Sequence, residues 1–221
     1  MPPRAPLVGD WSAAGARLDS GLATLKLDLP DATRQRMIAL LQLLREWNRT
    51  FNLTAVHTPA DMVTRHLLDS LAVLAYLPPG PLLDVGTGAG FPGLPLALAR
   101  PDTQHVLLDS NLKKTRFVEH AALTLGIGNV QVVRARAEEY QPVPEFPVVI
   151  ARAFAPLPRL LRLTCKLCAP GGRILALKGP TVEAELTDLP AEFTLVDTVT
   201  LPGFDGPARR TLVLLDRRVV G

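Results

Sequence analysis

The sequence predicts an α/β fold: a mostly parallel sheet finished by a C-terminal antiparallel hairpin and preceded by a helical N-terminal extension. Three observations carry this prediction. Up to about Leu77, every periodic segment has helical spacing. From Pro81 the short apolar runs LLDV, HVLLD, VQVV, PVVIA and ILALK alternate with segments of helical spacing and Gly/Pro punctuation, which is the pattern of βαβ units. At the end, FTLVDTVTL and RRTLVLLD flank the turn-rich PGFDGPA, the pattern of a hairpin.

The elements follow in order. The opening MPPRAPLVGDW has no continuous apolar core of the kind a signal peptide needs, so residues 1–30 are expected to be a partly flexible N-terminal segment. Residues 31–78 form the helical extension. Within it, Ala32 to Trp47 places Met37, Leu40, Leu41, Leu44 and Trp47 along one apolar face. After a polar break at Asn48 to Asn52, a second helix opens at Thr58-Pro59-Ala60-Asp61. Thr58 can cap it, Pro59 suits its first position, and Asp61 complements the dipole. It runs through HLLDSLAVLAYL and stops at Pro78-Pro79-Gly80. Residues 79–221 form a Rossmann-like domain. No internal repeat or low-complexity linker interrupts the chain.

Composition narrows the possibilities. The chain has 221 residues, 48% hydrophobic and 20% charged, with formal net charge +3. A folded domain with a substantial core is expected, and the mildly basic balance permits an anionic partner. No apolar stretch is long enough to span a membrane, so the expected location is the cytoplasm. Cys165 and Cys168 form a C-x-x-C with no second pair and no histidine nearby. The run Leu160 to Leu167 reads as a buried helix. The pair is therefore expected to be core thiols, with no metal site.

The sharpest local signal is Asp84-Val85-Gly86-Thr87-Gly88-Ala89-Gly90-Phe91-Pro92-Gly93, between the first strand and the helix GLPLALAR. Its spacing is D-x-G-x-G-x-G. A dinucleotide fingerprint would need glycine at position 91, which is Phe, so a nicotinamide oxidoreductase is disfavoured. The form suits S-adenosyl-L-methionine, which has no pyrophosphate to seat on a helix N-terminus. Asp84 can order the loop and reach toward the ligand's ammonium group. The second strand ends in Asp109, about twenty residues beyond the loop, where an acid can accept from ribose hydroxyls. Asp109 can equally be an N-cap, as can Ser110. After the third strand, Ala137 and Glu138 are placed to hold an adenine ring, or Glu138 is a solvated acid at a helix start.

These residues also carry a family resemblance. The chain resembles the GidB-type (RsmG) family of bacterial 16S rRNA methyltransferases, which act on guanine N7. The resemblance runs from about Leu40 to Lys178. It includes Trp47-Asn48 with Phe51-Asn52-Leu53-Thr54, the segment RHLLDSL from Arg65, and the glycine loop. It continues through Leu107 to Phe117, Arg152-Ala153-Phe154-Ala155, and Pro170-Gly171-Gly172-Arg173 with Leu177-Lys178-Gly179. Ala151 departs from the family's usual Ser. The resemblance implies a class I methyltransferase fold and cofactor contacts at Gly86, Phe91, Ala137, Glu138 and Arg152, beside Asp84, Gly88, Gly90 and Asp109 from the loop and strand ends. Phe91 can instead staple the first helix to the sheet, and Arg152 can instead make a surface ion pair.

The segment after the fourth strand bears on the acceptor. Amino-group methyltransferases carry an acidic or Asn-Pro-Pro-aromatic motif there, whereas this chain has Ala151-Arg152-Ala153-Phe154-Ala155-Pro156. Cytosine C5 chemistry needs a cysteine nucleophile, and both cysteines are assigned to the helix beyond. An acceptor with a ready lone pair, such as guanine N7, needs no general base. His66, Asp69 and Ser70 share one helix face and can converge on the cofactor mouth. His66, Asp69 and Arg152 are the candidate catalytic residues, with Asp69 able to stabilise a methylated purine cation. The same polar residues can instead join the extension to the sheet through hydrogen bonds. Asp69 can also pair with Arg65. Arg65, Lys113, Lys114 and Arg116 are the candidate RNA contacts, with Arg34, Arg36, Arg45 and Arg49 adding to the same field. A solvated helix face accounts for any one of them equally, and Arg209, Arg210, Arg217, Arg218 and Lys178 are open in the same way. The expected partner is 16S ribosomal RNA or the small ribosomal subunit, with neither DNA nor membrane, and the expected state is a monomer. A small-molecule methyltransferase, or a non-catalytic adenosylmethionine- or RNA-binding protein, are the competing readings.

Overall fold

The structure is a computed structural model that describes residues 11–179, 182–204 and 210–219. The first ten residues, Arg209 and most of the turn expected between the last two strands lie outside the described residues. A seven-stranded sheet has the order β3-β2-β1-β4-β5-β7-β6. Its strands are β1 (Leu82–Val85), β2 (His105–Leu108), β3 (Val130–Val133), β4 (Phe146–Arg152), β5 (Cys168–Lys178), β6 (Phe193–Leu201) and β7 (Arg210–Arg217). The first five pair in parallel, and β7 runs antiparallel between β5 and β6. The expected architecture is therefore the observed one.

The apolar runs are continuous because the central strands are buried on both faces. On one face Leu82, Leu107, Val148, Ile150, Leu175, Leu177, Leu212 and Leu214 join a core with the helices of the extension. On the other, Leu83, Val85, Leu108, Val149, Ile174, Ala176 and Val213 meet α7 (Leu157–Thr164). This alternation is the period of two that a strand imposes.

Helix α1 (Trp11–Leu25) precedes the extension, which consists of α2 (Asp31–Phe51), α3 (Pro59–Met62), a π-helical turn (Val63–Leu68), α4 (Asp69–Leu71) and a 3-10 turn (Leu74–Tyr76). Residues 11–25, within the segment expected to be partly flexible, form a helix that buries Ala14, Leu18 and Leu22. Met37, Leu40, Leu41 and Leu44 of α2 lie in the same continuous cluster as Leu82 and Leu107, so the extension packs as part of the sheet's own core. Asn52 in the left-handed region ends α2. At α3 the Thr58 hydroxyl accepts from the Asp61 N–H, with Pro59 in the first turn, as the sequence predicts. The Arg100 guanidinium clasps the carbonyls of Leu74, Leu77 and Pro78, fastening the end of the extension to α5 (Gly93–Ala99).

One segment differs from expectation. Cys165 caps α7 and Cys168 opens β5, so the two cysteines do not share a helix. Leu167, expected to continue the helix, is instead in the turn between the two elements, because its N–H bonds to the Thr164 carbonyl and its carbonyl accepts from Phe146. Cys168 is fully buried, and burial pushes its thiol up to about 12.

Helix α5 begins against the sheet with almost no clearance. A Cβ on Gly93 would lie 2.0 Å from Leu107 Cδ2 and 2.8 Å from Asp84 Oδ2. Leu107 is fully buried and cannot retreat. Gly93→Ala is expected to cost about 1–3 kcal/mol through overpacking, read as a lower denaturation midpoint. An unchanged midpoint would show that this contact yields easily.

Candidate active site

The strand order reverses between β1 and β4, and ligands of open α/β sheets sit at the carboxyl ends of the strands beside such a reversal. Two cavities lie there. The first, of about 370 Å³, is lined by Val85, Gly86, Leu108, Asp109, Ala137 and Glu138, with Lys114, Phe154 and Arg159 among the remainder. The second, of about 400 Å³, is lined by Arg65, His66, Arg152, Lys178, Glu185 and Arg210, with Val56 and Leu177. Ala153 lines both.

The glycine loop is built on Asp84 and Asp109. Asp84 Oδ2 accepts from Thr87 Oγ1 at 2.6 Å and from the Gly93 N–H at 2.9 Å. Its Oδ1 is buried and has no hydrogen-bond partner among the described residues. Burial raises this carboxyl to about 6, against the pull of its two donors. Asp109 Oδ2 accepts from the Gly88 N–H at 2.9 Å, and Oδ1 from the Asn111 N–H at 2.8 Å. The cap of α6 (Leu112–Thr124) is Asn111, whose side chain accepts from the Lys113 and Lys114 N–H groups. Neither Asp109 nor Ser110 is that cap, because Asn111 occupies the position. Gly86 has φ +69°, and a Cβ there would lie 2.2 Å from Phe154 Cδ2. Gly90 faces Leu94 and Val118 rather than a cavity.

The second cavity is organised by the π-helical turn. There the Asp69 N–H donates to the Thr64 carbonyl, five residues back, which leaves the Arg65 carbonyl free of that helical bond. Arg152 Nη1 donates to the Arg65 carbonyl at 2.7 Å, and Ser70 Oγ donates to the His66 carbonyl. Such π turns are frequent at functional sites. Ser70 is fully buried, so it does not face the mouth with His66 as the helical spacing suggests. Asp69 pairs with Arg210 Nε at 3.0 Å; no hydrogen bond or ion pair joins it to Arg65. The i,i+4 pair that the spacing allows is not made, because Arg210, at the start of β7, reaches the same carboxylate. Burial raises the Asp69 carboxyl, with Arg210 pulling the other way.

His66 stacks on Phe91 with ring centroids 4.7 Å apart and planes 24° from parallel. The Arg152 guanidinium lies 5.9 Å from the centroid of the same Phe91 ring. His66 Nε2 pairs with Thr54 Oγ1 at 2.9 Å, and Thr54 is clamped by both ends of the Asn48 amide. Burial, then the Arg152 charge, pushes the imidazole down to about 3. After Arg152 the chain passes through Ala153 at φ +50°, an uncommon conformation for a residue with a side chain. Lys178 Nζ donates to the Ala155 carbonyl at 2.7 Å and pairs with Glu185 Oε2 at 2.7 Å, and Glu185 also accepts from the Leu157 N–H. These contacts hold the segment between β4 and α7.

The sequence-predicted residues thus divide. Gly86, Asp109, Ala137 and Glu138 line the first cavity, and Arg65, His66 and Arg152 the second. Phe91 and Asp84 are buried behind them, and Gly88 is held by Asp109. Lys114, grouped with the RNA contacts, lines the first cavity, whereas Lys113 and Arg116 are exposed on α6. Arg159 and Glu185 were not singled out by sequence, and no motif marks them. Thr54 lies in the Phe51-Asn52-Leu53-Thr54 segment, where a functional signal was legible. Among the described residues no group of three or more His, Cys, Asp or Glu could hold a metal ion, and no helix is long and apolar enough to cross a membrane.

The depressed His66 value has a definite pH consequence. Between pH 6.5 and about 3 the unfolded chain binds the proton that folded His66 refuses, so this group lowers stability as pH falls through that window. Asp84 works oppositely, since its raised carboxyl lowers stability as pH rises from about 4 to 6. His66→Gln is therefore expected to lose less stability than the wild type between pH 7 and pH 4 in denaturant titrations. Equal losses would place a protonated imidazole in the folded protein.

Comparison with known proteins bears on what this site belongs to. The family described as rRNA small subunit methyltransferase G (GidB) matches residues 33–212. A protein named ribosomal RNA small subunit methyltransferase G from Chromohalobacter salexigens is 46% identical over 205 residues, covering 93% of this chain and 98% of that protein. The protein of the same name from Halorhodospira halophila is 48% identical over 197 residues, covering 89% and 94%. Among solved structures, a putative O-methyltransferase from Klebsiella pneumoniae covers 94% of this chain and 99% of its own, with TM-score 0.57 and 14% identity. A SAM-dependent methyltransferase from Aquifex aeolicus covers 70% and 92%, with TM-score 0.53 and 20% identity. At such identities the solved structures establish the fold alone, a Rossmann-like methyltransferase fold. The family match and the full-length relatives go further: this chain belongs to the GidB family, rRNA small subunit methyltransferase G.

Proposed function

We propose that this protein transfers a methyl group from S-adenosyl-L-methionine to guanine N7 of 16S ribosomal RNA, acting in the cytoplasm as a monomer on RNA or on a small-subunit assembly intermediate. The observation that carries the reading is the junction of the two cavities at Ala153, with the His66–Phe91–Arg152 stack beside it. One cavity has the acids and backbone that suit a nucleoside, and the other is lined by four cations and one acid, Glu185.

The residues present fit the cofactor. Gly86 leaves space beside Phe154 that a side chain would fill. Each Asp109 oxygen accepts one backbone N–H and keeps a lone pair for a ribose hydroxyl. Glu138 and the Ala137 backbone would hold the adenine, and the unpartnered Asp84 Oδ1 is a buried acceptor toward the ammonium end. The cofactor supplies an electrophilic methyl on sulfonium. Guanine N7 presents an in-plane lone pair with no proton to remove, so a neutral His66 is adequate: it packs and orients rather than accepting a proton. Arg65, Arg152 and Arg210 hold phosphate charge near the mouth. Asp69, paired with Arg210, positions that arginine. Orientation of this kind can supply several of the about 7–11 kcal/mol available to well-aligned reactants.

The decisive experiment supplies labelled cofactor and RNA from bacteria lacking the activity, then maps the product by mass spectrometry. Label is expected on guanine N7 of 16S RNA. Label on another atom or another RNA would overturn the assignment of the acceptor, and label on a small molecule would overturn the RNA reading. Asp109→Ala is expected to weaken cofactor binding by about 1–3 kcal/mol in calorimetry, without dependence on metal; unchanged affinity would leave Asp109 a brace for the loop. Cys165→Ser/Cys168→Ser is expected to keep its rate per folded molecule, and a covalent sulfur–RNA adduct would overturn the lone-pair mechanism.

A further inference from the structure

We infer that Phe51, Trp47 and His120 form a stacking platform for an unpaired RNA base, reached along a basic stripe on α6. The inference rests on the RNA reading above and names the surface that reading requires.

Trp47 meets two further rings: Phe51 with its centroid at 5.3 Å and His120 at 5.1 Å, tilted by 37° and 35°. Beneath them, Phe117 meets Trp47 edge-on at 5.6 Å and is fully buried. The Trp47–Phe117 contact accounts for the packing of α2 on α6. It does not account for Phe51 and His120, which are exposed. An exposed aromatic ring contributes little to folding, but it offers a π-face to any base, whatever its sequence.

The charges beside the ladder suit a nucleic-acid strand. Lys113 and Arg116 are exposed and spaced i, i+3, and the His120 ring follows at i+7, hence on one face of α6. Arg49 is exposed two residues before Phe51. The acid of α6, Glu119, flanks the stripe, three residues from Arg116 and about 100° round the helix from His120. Lys114 lines the first cavity, and six residues of helix carry the surface from there to His120, about 9 Å along the axis. On the other side, Phe51 is three residues from Thr54, the partner of His66, within about 11 Å of chain. The chain therefore places the ladder about 9 Å along α6 from Lys114, which lines the first cavity, and within about 11 Å of Thr54, the partner of His66. A single strand would lay phosphates along Lys113 and Arg116 and stack one base on the ladder, while a neighbouring base enters the second cavity.

The test uses the full chain with a short unpaired RNA and a duplex RNA of equal length. Phe51→Ala/His120→Ala is expected to weaken binding of the unpaired RNA about tenfold or more and to leave cofactor affinity and the salt slope unchanged, because stacking releases no counterions. Phe51→Tyr is expected to bind as the wild type does, and Phe51→Leu to bind weakly. Lys113→Ala/Arg116→Ala is expected to flatten the log–log salt slope by roughly one to two units. Full affinity in Phe51→Leu, or equal weakening on unpaired and duplex RNA, would overturn the platform. A wild type that methylates RNA while the aromatic variants bind it unimpaired would overturn the platform alone. A wild type that neither binds nor methylates RNA would overturn the RNA reading and the platform with it.

Discussion

The Arg152 guanidinium stands where the helical extension meets the sheet. It donates to the Arg65 carbonyl at 2.7 Å and lies 5.9 Å from the Phe91 centroid, at the end of the strand beside the reversal of strand order. Three local features make this possible. The π turn directs the Asp69 N–H past the Arg65 carbonyl to Thr64, Phe91 is held at the start of the helix that Gly93 presses against the sheet, and the chain turns abruptly after Arg152 through Ala153. Each is costly or uncommon in isolation. Together they put one cation on the wall of the second cavity, next to Ala153, which lines both.

That placement sets the electrostatics around it. Arg152 disfavours a charged His66 and favours charged Asp69 and Asp84. Burial acts on all three toward neutrality. The imidazole, pressed the same way by both effects, stays neutral through the physiological range. The carboxyls are pulled both ways, and their donors decide the outcome: Asp84 has Thr87 and Gly93, and Asp69 has Arg210. His66 is therefore no acid near neutrality, while the raised Asp84 carboxyl is buried behind the glycine loop.

The strands were legible because a parallel sheet buried on both faces leaves almost no freedom in its residue types. LLDV coincides with β1 and HVLLD contains β2, two strands buried at every position. FTLVDTVTL, which coincides with β6, is an antiparallel edge strand read from the hairpin pattern instead. The cap at Thr58 was legible for a similar reason, since a threonine followed by proline and an acid has few other local uses. The cysteine segment was not. Leu160 to Leu167 keeps helical spacing, but the start of β5 captures Cys168 through its register with Phe146, and that pairing is set by a residue far away in the chain. The partner of Asp69 is settled by tertiary structure for the same reason. Arg65 is near in sequence, whereas Arg210 is 141 residues away and near only after the hairpin folds onto the sheet.

By itself, then, the sequence determined the α/β class, the strand succession, the glycine loop and the identity of most residues around the cavities. Those properties are written in local spacing and in the burial that each short segment must achieve. Tertiary structure alone decided which side chains meet. It paired Asp69 with Arg210, gave the α6 cap to Asn111, turned Lys114 toward the first cavity and drew Lys178 and Glu185 together under the segment after β4. The physical reason is that a hydrogen bond or ion pair depends on a few ångströms of separation, and separation between distant segments is settled by the packing of the whole core rather than by neighbours in the chain.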